Sequence, residues 1–360
     1  MKPLRILVDS FADDGLPNAQ MNNAREIISR LDPLRFHVSV FHLEKPDLRI
    51  ATRPNTRLVQ LPRHRQTLPI LREFISGRHE ILFYLKASPA SKWYLRLRRK
   101  WKDRRIIVGT MESRSDMRSE PTVNPEAIAL WEQTILCCDV LFSNSQAVQR
   151  DLERQYGVAS DVIPTGVDTG FFIPDVHRSN SRPRVLFVGS LRSFKQPQLL
   201  LQAASRFPCA DFVIVGEGML RAELQQRIVQ EQLPNVMLLG PLLGNSLKAE
   251  YRKADVFLFP SVWEGSPKVI LEAAACGLPV IARKSYEPET VIDGETGYLV
   301  ASDEELFFRL ENLLENPSLR ERLGLAGRRH SERFDWDPIT RRWEEIFLHL
   351  ASRRATGHTA

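Results

Sequence analysis

The sequence predicts an α/β protein built on parallel sheets, and three observations carry that expectation. Short apolar runs alternate with helix-length amphipathic patterns along most of the chain. The clearest instance is Asp255 to Ala282, DVFLFPSVWEGSPKVILEAAACGLPVIA, which reads strand, loop, helix, strand. The same order opens the chain: an apolar run from Leu4 to Val8, a helix reaching Leu31, and an alternating strand from Phe36 to Phe41. At 360 residues the chain is long enough for two such domains.

Each part of the Asp255 to Ala282 stretch has a local reason. Val256 to Phe259 is apolar throughout, as a strand buried on both faces must be, and Pro260 ends it. Ser261 to Ser266 is a polar turn; Ser266 is placed to cap a helix and Pro267 suits its first turn. Gly277 stands where a left-handed residue closes a helix, and Pro279 starts the next apolar run. The loop therefore lies at the carboxyl end of a strand, the edge where open α/β sheets bind ligands. Two carboxylates fall there: Glu264 in the loop and Glu272 about two turns into the helix.

The spacing from Glu264 to Glu272, within EGSPKVILEAAACGLPVIA and followed by Glu289, Asp293, Gly294 and Gly297, resembles the E-x7-E signature of retaining glycosyltransferases of the GT-B fold. This is the glycosyltransferase family 4-like group, also called glycosyl transferases group 1. The resemblance implies two Rossmann-like domains facing across a cleft, with the last helix crossing back to the first domain. Residues 1–168 are then the acceptor domain, 169–183 a linker rich in Pro, Ser, Asn and Gly, and 184–335 the donor domain. Residues 336–351 form the returning helix, with Ile339, Trp343, Ile346, Phe347 and Leu350 on one face, and 352–360 a disordered tail.

The family resemblance also distributes roles. Gly189-Ser190-Leu191-Arg192-Ser193-Phe194-Lys195 follows a strand and is similar to the family's diphosphate loop G-R-L-x-x-x-K-G. Lys195 matches the lysine, Ser190 replaces the arginine, and Gln196 replaces the final glycine. Either Arg192 supplies the missing charge or backbone amides hold the donor. Gly216 and Glu217 match the donor-site turn, and Gly240 with Leu242 the strand end that holds the base. Glu272 is carried over to the ribose diol, and Glu264 with Pro267 and the amides of Gly265, Ser266 and Lys268 to the transferred sugar and its transition state. As a fingerprint for dinucleotides the Gly216 turn fails, because no third glycine follows at the right offset.

In the first domain the resemblance is weaker. Where many members carry a glycine pair, only Gly15 stands, with Asn18 and Gln20 beside it as acceptor-side candidates. The family's cleft histidine is absent from its region, since His79 and His177 lie outside a strand-end context. Glu112 is the candidate for that place. The blander readings are a solvated Glu272 paired with Lys268 one helical turn away, a surface Lys195 and plain loop acids.

The resemblance implies a nucleotide-sugar donor, UDP- or GDP-linked, no tightly bound cofactor and no metal. It implies a glycan or lipid-linked acceptor, in bacterial envelope or exopolysaccharide synthesis. Asp335-Trp336-Asp337 has a metal-motif letter pattern but sits where a helix cap is expected. The net charge of +6 suits acidic partners. Lys86 to Lys102 is expected as a helix with a dense basic face (Lys92, Arg96, Arg98, Arg99, Lys100, Lys102) and with Trp93, Tyr94, Leu97 and Trp101; the basic patch runs from Lys92 to Arg105. It fits either an anionic membrane surface or a solvated helix with its aromatics in the core. No signal peptide and no apolar run of roughly 18–20 residues is present, so a cytoplasmic protein, peripheral on the inner face of the membrane, is the expectation. Cys137, Cys138, Cys209 and Cys276 form no C-x-x-C pair. The competing readings are a non-catalytic nucleic-acid or membrane binder of this fold and a sugar-nucleotide epimerase; no nucleic acid is expected as partner.

Overall fold

The computed structural model describes residues 2–14, 19–101, 103–112, 124–175 and 180–355. It divides into two units: residues 1–164 with 336–360, and residues 165–335. Each is a parallel sheet flanked by helices.

In unit 1 the strands are β1 (Leu4–Phe11), β2 (Phe36–His42), β3 (Thr56–Gln60), β4 (Ile81–Phe83), β5 (Ile106–Met111), β6 (Val140–Ser143) and β7 (Asp161–Val162). The helices between them are α1 (Ala19–Arg30), α2 (Leu48–Ala51), α3 (Thr67–Ser76), α4 (Pro89–Trp101), α5 (Pro125–Glu132) and α6 (Gln146–Tyr156). The sheet order is β3-β2-β1-β4-β5-β6-β7, all parallel. Strands β1, β2 and β4 bury Ile6, Val8, Val38, Val40, Ile81 and Phe83, which is why they read as apolar runs. Ser145 caps α6 by accepting from the Val148 N–H at 3.3 Å, and Gly157 ends it at φ 63°.

In unit 2 the strands are β8 (Arg184–Val188), β9 (Asp211–Val215), β10 (Val236–Gly240), β11 (Val256–Phe259), β12 (Val280–Arg283) and β13 (Gly297–Val300). The helices are α7 (Gln198–Arg206), α8 (Arg221–Gln230), α9 (Gly244–Lys253), α10 (Lys268–Ala275), α11 (Asp303–Glu315) and α12 (Pro317–Ser331). The order β10-β9-β8-β11-β12-β13 reverses between β8 and β11, which makes their carboxyl ends a topological switch point.

The final helix, α13 (Trp336–Ala355), belongs to unit 1 although it follows unit 2 in the chain. Trp336, Ile339, Trp343 and Phe347 are buried in the same cluster as Ile6, Val8 and Phe83. Glu344 locks the register by accepting from the Asp32 N–H at 2.6 Å and pairing with Arg35 at 3.3 Å. Helix α13 runs on to Ala355, so the expectation of disorder from Ser352 is corrected for 352–355; residues 356–360 lie outside the described residues.

The segment expected as a linker starts inside unit 2. Phe172 is buried in the unit-2 core, and Arg328 donates to the Thr169 and Phe172 carbonyls at 2.9 and 2.8 Å. Asp335 accepts from the Thr169 N–H and hydroxyl, so the first acid of the Asp335-Trp336-Asp337 triplet is spent on this anchor. Asp337 pairs with Arg30 within unit 1. Among the described residues no cluster of three metal-binding side chains occurs, and no helix is long and apolar enough to cross a membrane.

Candidate active site

In unit 2 the loops after β8 and β11 meet at the switch point. A short turn, Ser193–Lys195, follows β8 and carries Lys195. The lysine Nζ donates to Glu264 Oε1, and both side chains are largely buried. Ser261 Oγ donates to the same carboxylate oxygen at 2.6 Å. The Val262 N–H binds the Phe194 carbonyl at 2.9 Å, tying one loop to the other. Lys195 also lies 4.9 Å from the Phe259 ring centroid, a cation–π contact that keeps it inward.

Helix α10 carries the second acid. Glu272 is 7% exposed; Oε2 accepts from the Tyr251 hydroxyl at 3.0 Å, and Oε1 has no protein partner among the described residues. Burial pushes its carboxyl above the usual range, against the opposing pull of Lys268 and the Tyr251 hydrogen bond. The same contact and burial hold the Tyr251 hydroxyl protonated far above its ordinary range, so tyrosine is the donor of that bond. A solvated, surface role for Glu272 is thereby excluded. Glu264 and Glu272 thus share one loop and the helix it enters, with Gly265 and Ser266 between them. Their N–H groups carry no hydrogen bond to the protein among the described residues.

One local expectation is corrected. Ser266 does not cap α10: Pro267 occupies the cap position and no side-chain cap bond forms. The Gly189 and Gly216 N–H groups are not open to a ligand, since they bind the Val215 and Gly240 carbonyls at 3.0 and 2.9 Å. Those glycines serve close packing instead. A Cβ on Gly216 would lie 1.8 Å from the Gly189 carbonyl oxygen, and φ there is 151°. Gln196, standing where the family pattern has glycine, adopts φ 48° and ψ 46°, the left-handed conformation glycine favours. Its side chain accepts from Arg283 Nη2 at 3.2 Å.

The remaining donor candidates line the same edge. Ser190 is half-buried; Arg192 is exposed, and its guanidinium has no protein partner among the described residues. Glu217 is exposed and pairs with Arg221 at 3.6 Å. Gly240 ends β10 with φ 79°, and half-buried Leu242 packs on the core. Lys268 opens α10, and Pro267 before it is buried. The sequence reading missed Tyr286. Its hydroxyl is fully buried with no hydrogen-bond partner among the described residues, and burial and the Glu264 charge both oppose its ionisation. Nothing in its local pattern marks it; only the fold brings it near Glu264.

In unit 1, Glu112 follows β5 and is held firmly. The Tyr84 hydroxyl donates to Oε1, Asn23 Nδ2 donates to the same oxygen at 3.2 Å, and Asn144 Nδ2 binds the Glu112 carbonyl at 3.1 Å. Burial and the neighbouring carboxylate keep Tyr84 protonated. At the end of β1, Asp9 is 3% exposed and accepts from the Lys86 N–H at 2.9 Å. Burial raises its carboxyl to about 6, with Lys86 opposing. In the sequence Asp9 reads only as the start of the polar loop after the Leu4 to Val8 run. Of the acceptor-side candidates, Gln20 is exposed on α1, while Gly15 and Asn18 lie outside the described residues, as does His177. His79 stands just before β4, at the amino end of the strands.

Residues 182–316 match the family described as "Glycosyl transferases group 1". The chain is similar to a D-inositol 3-phosphate glycosyltransferase of Corynebacterium diphtheriae, 30% identical over 255 residues, covering 63% of this chain and 60% of that one. It is also similar to a sulfoquinovosyl transferase of Arabidopsis thaliana, 29% identical over 56% of this chain and 43% of the relative. The alignment thus spans less than two thirds of those relatives' length. Among solved structures, a sucrose-phosphate synthase from Thermosynechococcus elongatus superposes with a TM-score of 0.82 at 21% identity, over 97% of this chain and 99% of that one. The Anabaena protein HepE, solved in complex with UDP-glucose, superposes with 0.73 at 18% identity, over 96% and 100%. These likenesses establish the two-unit GT-B fold.

Proposed function

Through residues 182–316 the chain belongs to the group 1 glycosyl transferases, and from that premise we propose that it moves a sugar from a nucleoside diphosphate donor to an acceptor hydroxyl with retention at the anomeric carbon. The observation that carries this reading is the Lys195–Glu264 pair at the β8/β11 switch point, beside buried Glu272. Glu272 Oε1 receives a ribose hydroxyl while Tyr251 fixes the carboxylate. Lys195 turns to the diphosphate, joined by Arg192, whose guanidinium has no partner among the described residues. Glu264, released from Lys195, meets the sugar hydroxyls together with the Gly265 and Ser266 amides.

Chemistry then follows from charge placement. The acceptor oxygen attacks the anomeric carbon on the face the diphosphate leaves, the anomeric C–O bond to phosphorus breaks, and a phosphate oxygen takes the acceptor proton. The cations at this edge stabilise the charge growing on the leaving group, and Glu264 the charge growing on the sugar. UDP-sugars are the donor class we favour, because HepE was solved with UDP-glucose. The acceptor is a glycan or a lipid-linked hydroxyl engaged by unit 1, with Glu112 and Asp9 as its polar groups. The pathway we favour is envelope or exopolysaccharide synthesis.

The test is donor binding followed by turnover. A thermal-shift series over UDP-, GDP- and ADP-sugars should single out one nucleotide. A donor at 100 times its Kd raises stability by roughly 2.7 kcal/mol. Slow nucleotide release from that donor should fall at least about 100-fold in Glu264→Ala, with the donor shift retained, the size typical of losing one transition-state contact. Lys195→Ala should lose the shift. Full turnover in Glu264→Ala ends the reading.

One observation favours membrane contact as well. On α4, Trp93 and Trp101 are 53% and 56% exposed, beside exposed Arg96, Arg99 and Lys100, while Tyr94 and Leu95 alone of its large apolar side chains are fully in the core. Basic residues with exposed tryptophans are the composition of a helix lying in an anionic interface. We therefore infer a peripheral site on an anionic bilayer. Co-sedimentation with vesicles rich in phosphatidylglycerol should drop several-fold in a Trp93→Ala, Trp101→Ala double variant. Equal sedimentation on uncharged vesicles would count against it.

A further inference from the structure

At the amino-terminal edge of the unit-1 sheet, away from Asp9 and Glu112, lies a cavity of about 280 Å³. Strand register builds it. Arg5 of β1 stands beside His37 of β2, and Ser39 beside Arg57 of β3. Period-two alternation puts Arg5, His37, Ser39 and Arg57 on one face of the sheet. Arg78 and His79, just ahead of β4, complete the wall.

Cations are in excess there. Among the described residues Glu73 is the one acid in the lining, and it is committed to Arg57 through two bonds of 2.8 and 3.0 Å. Nearby Glu80 uses a carboxylate oxygen on the Arg5 backbone N–H at 3.2 Å. The Arg5 and Arg78 guanidinium groups have no hydrogen bond or ion pair among the described residues. His37 responds to this imbalance: burial first, then the charges of Arg5, Arg53 and Arg57, hold its imidazole below the ordinary range. The turn is also shaped tightly, since a Cβ on Gly77 would fall 2.5 Å from the Glu73 carbonyl and 2.6 Å from His79 Nδ1. Two uncommitted guanidiniums in a recess suit an oxyanion, which accepts paired N–H bonds from each fork.

We propose that this cavity binds a small phosphate-bearing anion, either inorganic phosphate or a free phosphomonoester. The site shares no residue with the donor loops of unit 2, so it does not depend on the function proposed above. The volume leaves room for an organic group beyond the phosphate, while the guanidiniums and imidazoles recognise the phosphate itself. Such a ligand ties β1, β2, β3 and the turn before β4 together.

Calorimetric titration of inorganic phosphate and of glycerol 3-phosphate into the full chain, at fixed ionic strength, tests it. Saturable binding is expected in the natural sequence and in Lys195→Ala. Binding should weaken by about tenfold or more in Arg78→Glu and in Arg5→Gln. Arg78 is exposed, so its variant should unfold at the same temperature as the natural chain without phosphate. His37, followed by NMR, should titrate at higher pH once phosphate is present, because the anion offsets the arginine field. The proposal fails if neither compound gives saturable heat. It fails equally if Lys195→Ala abolishes binding while Arg78→Glu keeps it, or if only vesicles carrying phosphatidic acid bind.

Discussion

At Gly216 the turn after β9 passes so close to the turn after β8 that no side chain fits. The missing Cβ would sit 1.8 Å from the Gly189 carbonyl oxygen, and the backbone has φ 151°. Both loops line the edge proposed for the donor, and the contact joins the turn that carries Ser190 and Arg192 to the next one. Gly216→Ala should cost more than about 3 kcal/mol, the range reserved for strain or severe clash, and should remove the donor-induced thermal shift. Gly244→Ala is the control. Its φ is 54° but no atom lies within 4 Å, so only the left-handed penalty of about 1–2 kcal/mol applies. Similar costs for the two variants in urea unfolding would show that the close approach is not what matters. Gln196 teaches the complementary lesson. The family pattern shows glycine there, and the sequence alone registers a departure; the structure shows the left-handed backbone kept, with the glutamine amide used to bind Arg283.

The element that joins the two ends of the chain is α13. Phe347 packs against Phe83 and Trp343 at centroid distances of 4.9 and 5.6 Å, inside a cluster drawn from β1, β2 and β4. Phe347→Ala should therefore destabilise unit 1 by about 3–5 kcal/mol, although the residue lies past unit 2 in sequence. Tryptophan fluorescence during urea unfolding reads this directly through neighbouring Trp343, and an unchanged midpoint would place the helix outside the core. The stripe Ile339, Trp343, Phe347 was legible because helical periodicity survives in a single stretch of sequence. The strands of unit 2 were legible for the same reason: buried parallel strands leave apolar runs. What stayed hidden depends on tertiary neighbours. The capping role given to Ser266 failed because Pro267 took the cap position, and the glycine amides were consumed by loop-to-loop bonds that no local pattern encodes. Asp9, Tyr84 and Tyr286 are significant only for what the fold sets beside them.

For the molecule as a whole, the buried ionisable groups make a statement about pH. Asp9 ionises at about 6 in the folded chain against 3.8 unfolded, chiefly because burial penalises its charge. Between those values the folded chain holds a proton that the unfolded chain has released, so this group makes stability fall as pH rises through the window. Above it the full penalty remains, roughly 3 kcal/mol, since each pH unit between the two values is worth about 1.4 kcal/mol. Glu272, also raised by burial, acts in the same sense. Asp47, held below its usual range by Arg49, acts oppositely, so the natural chain's total curve mixes signs and isolates nothing. The comparison that does is with Asp9→Asn, which keeps an acceptor for the Lys86 N–H. Its unfolding free energy relative to the natural chain should rise steadily between about pH 4 and pH 6 and level off above. A natural protein keeps such a penalty where the charge has work to do, and Asp9 stands near the carboxyl end of β1, the edge proposed above for the acceptor. Stability gained in Asp9→Asn at neutral pH with transfer to the acceptor lost, and donor binding intact, is the expected pairing. A pH-independent difference between the two chains would remove both the buried charge and the role drawn from it.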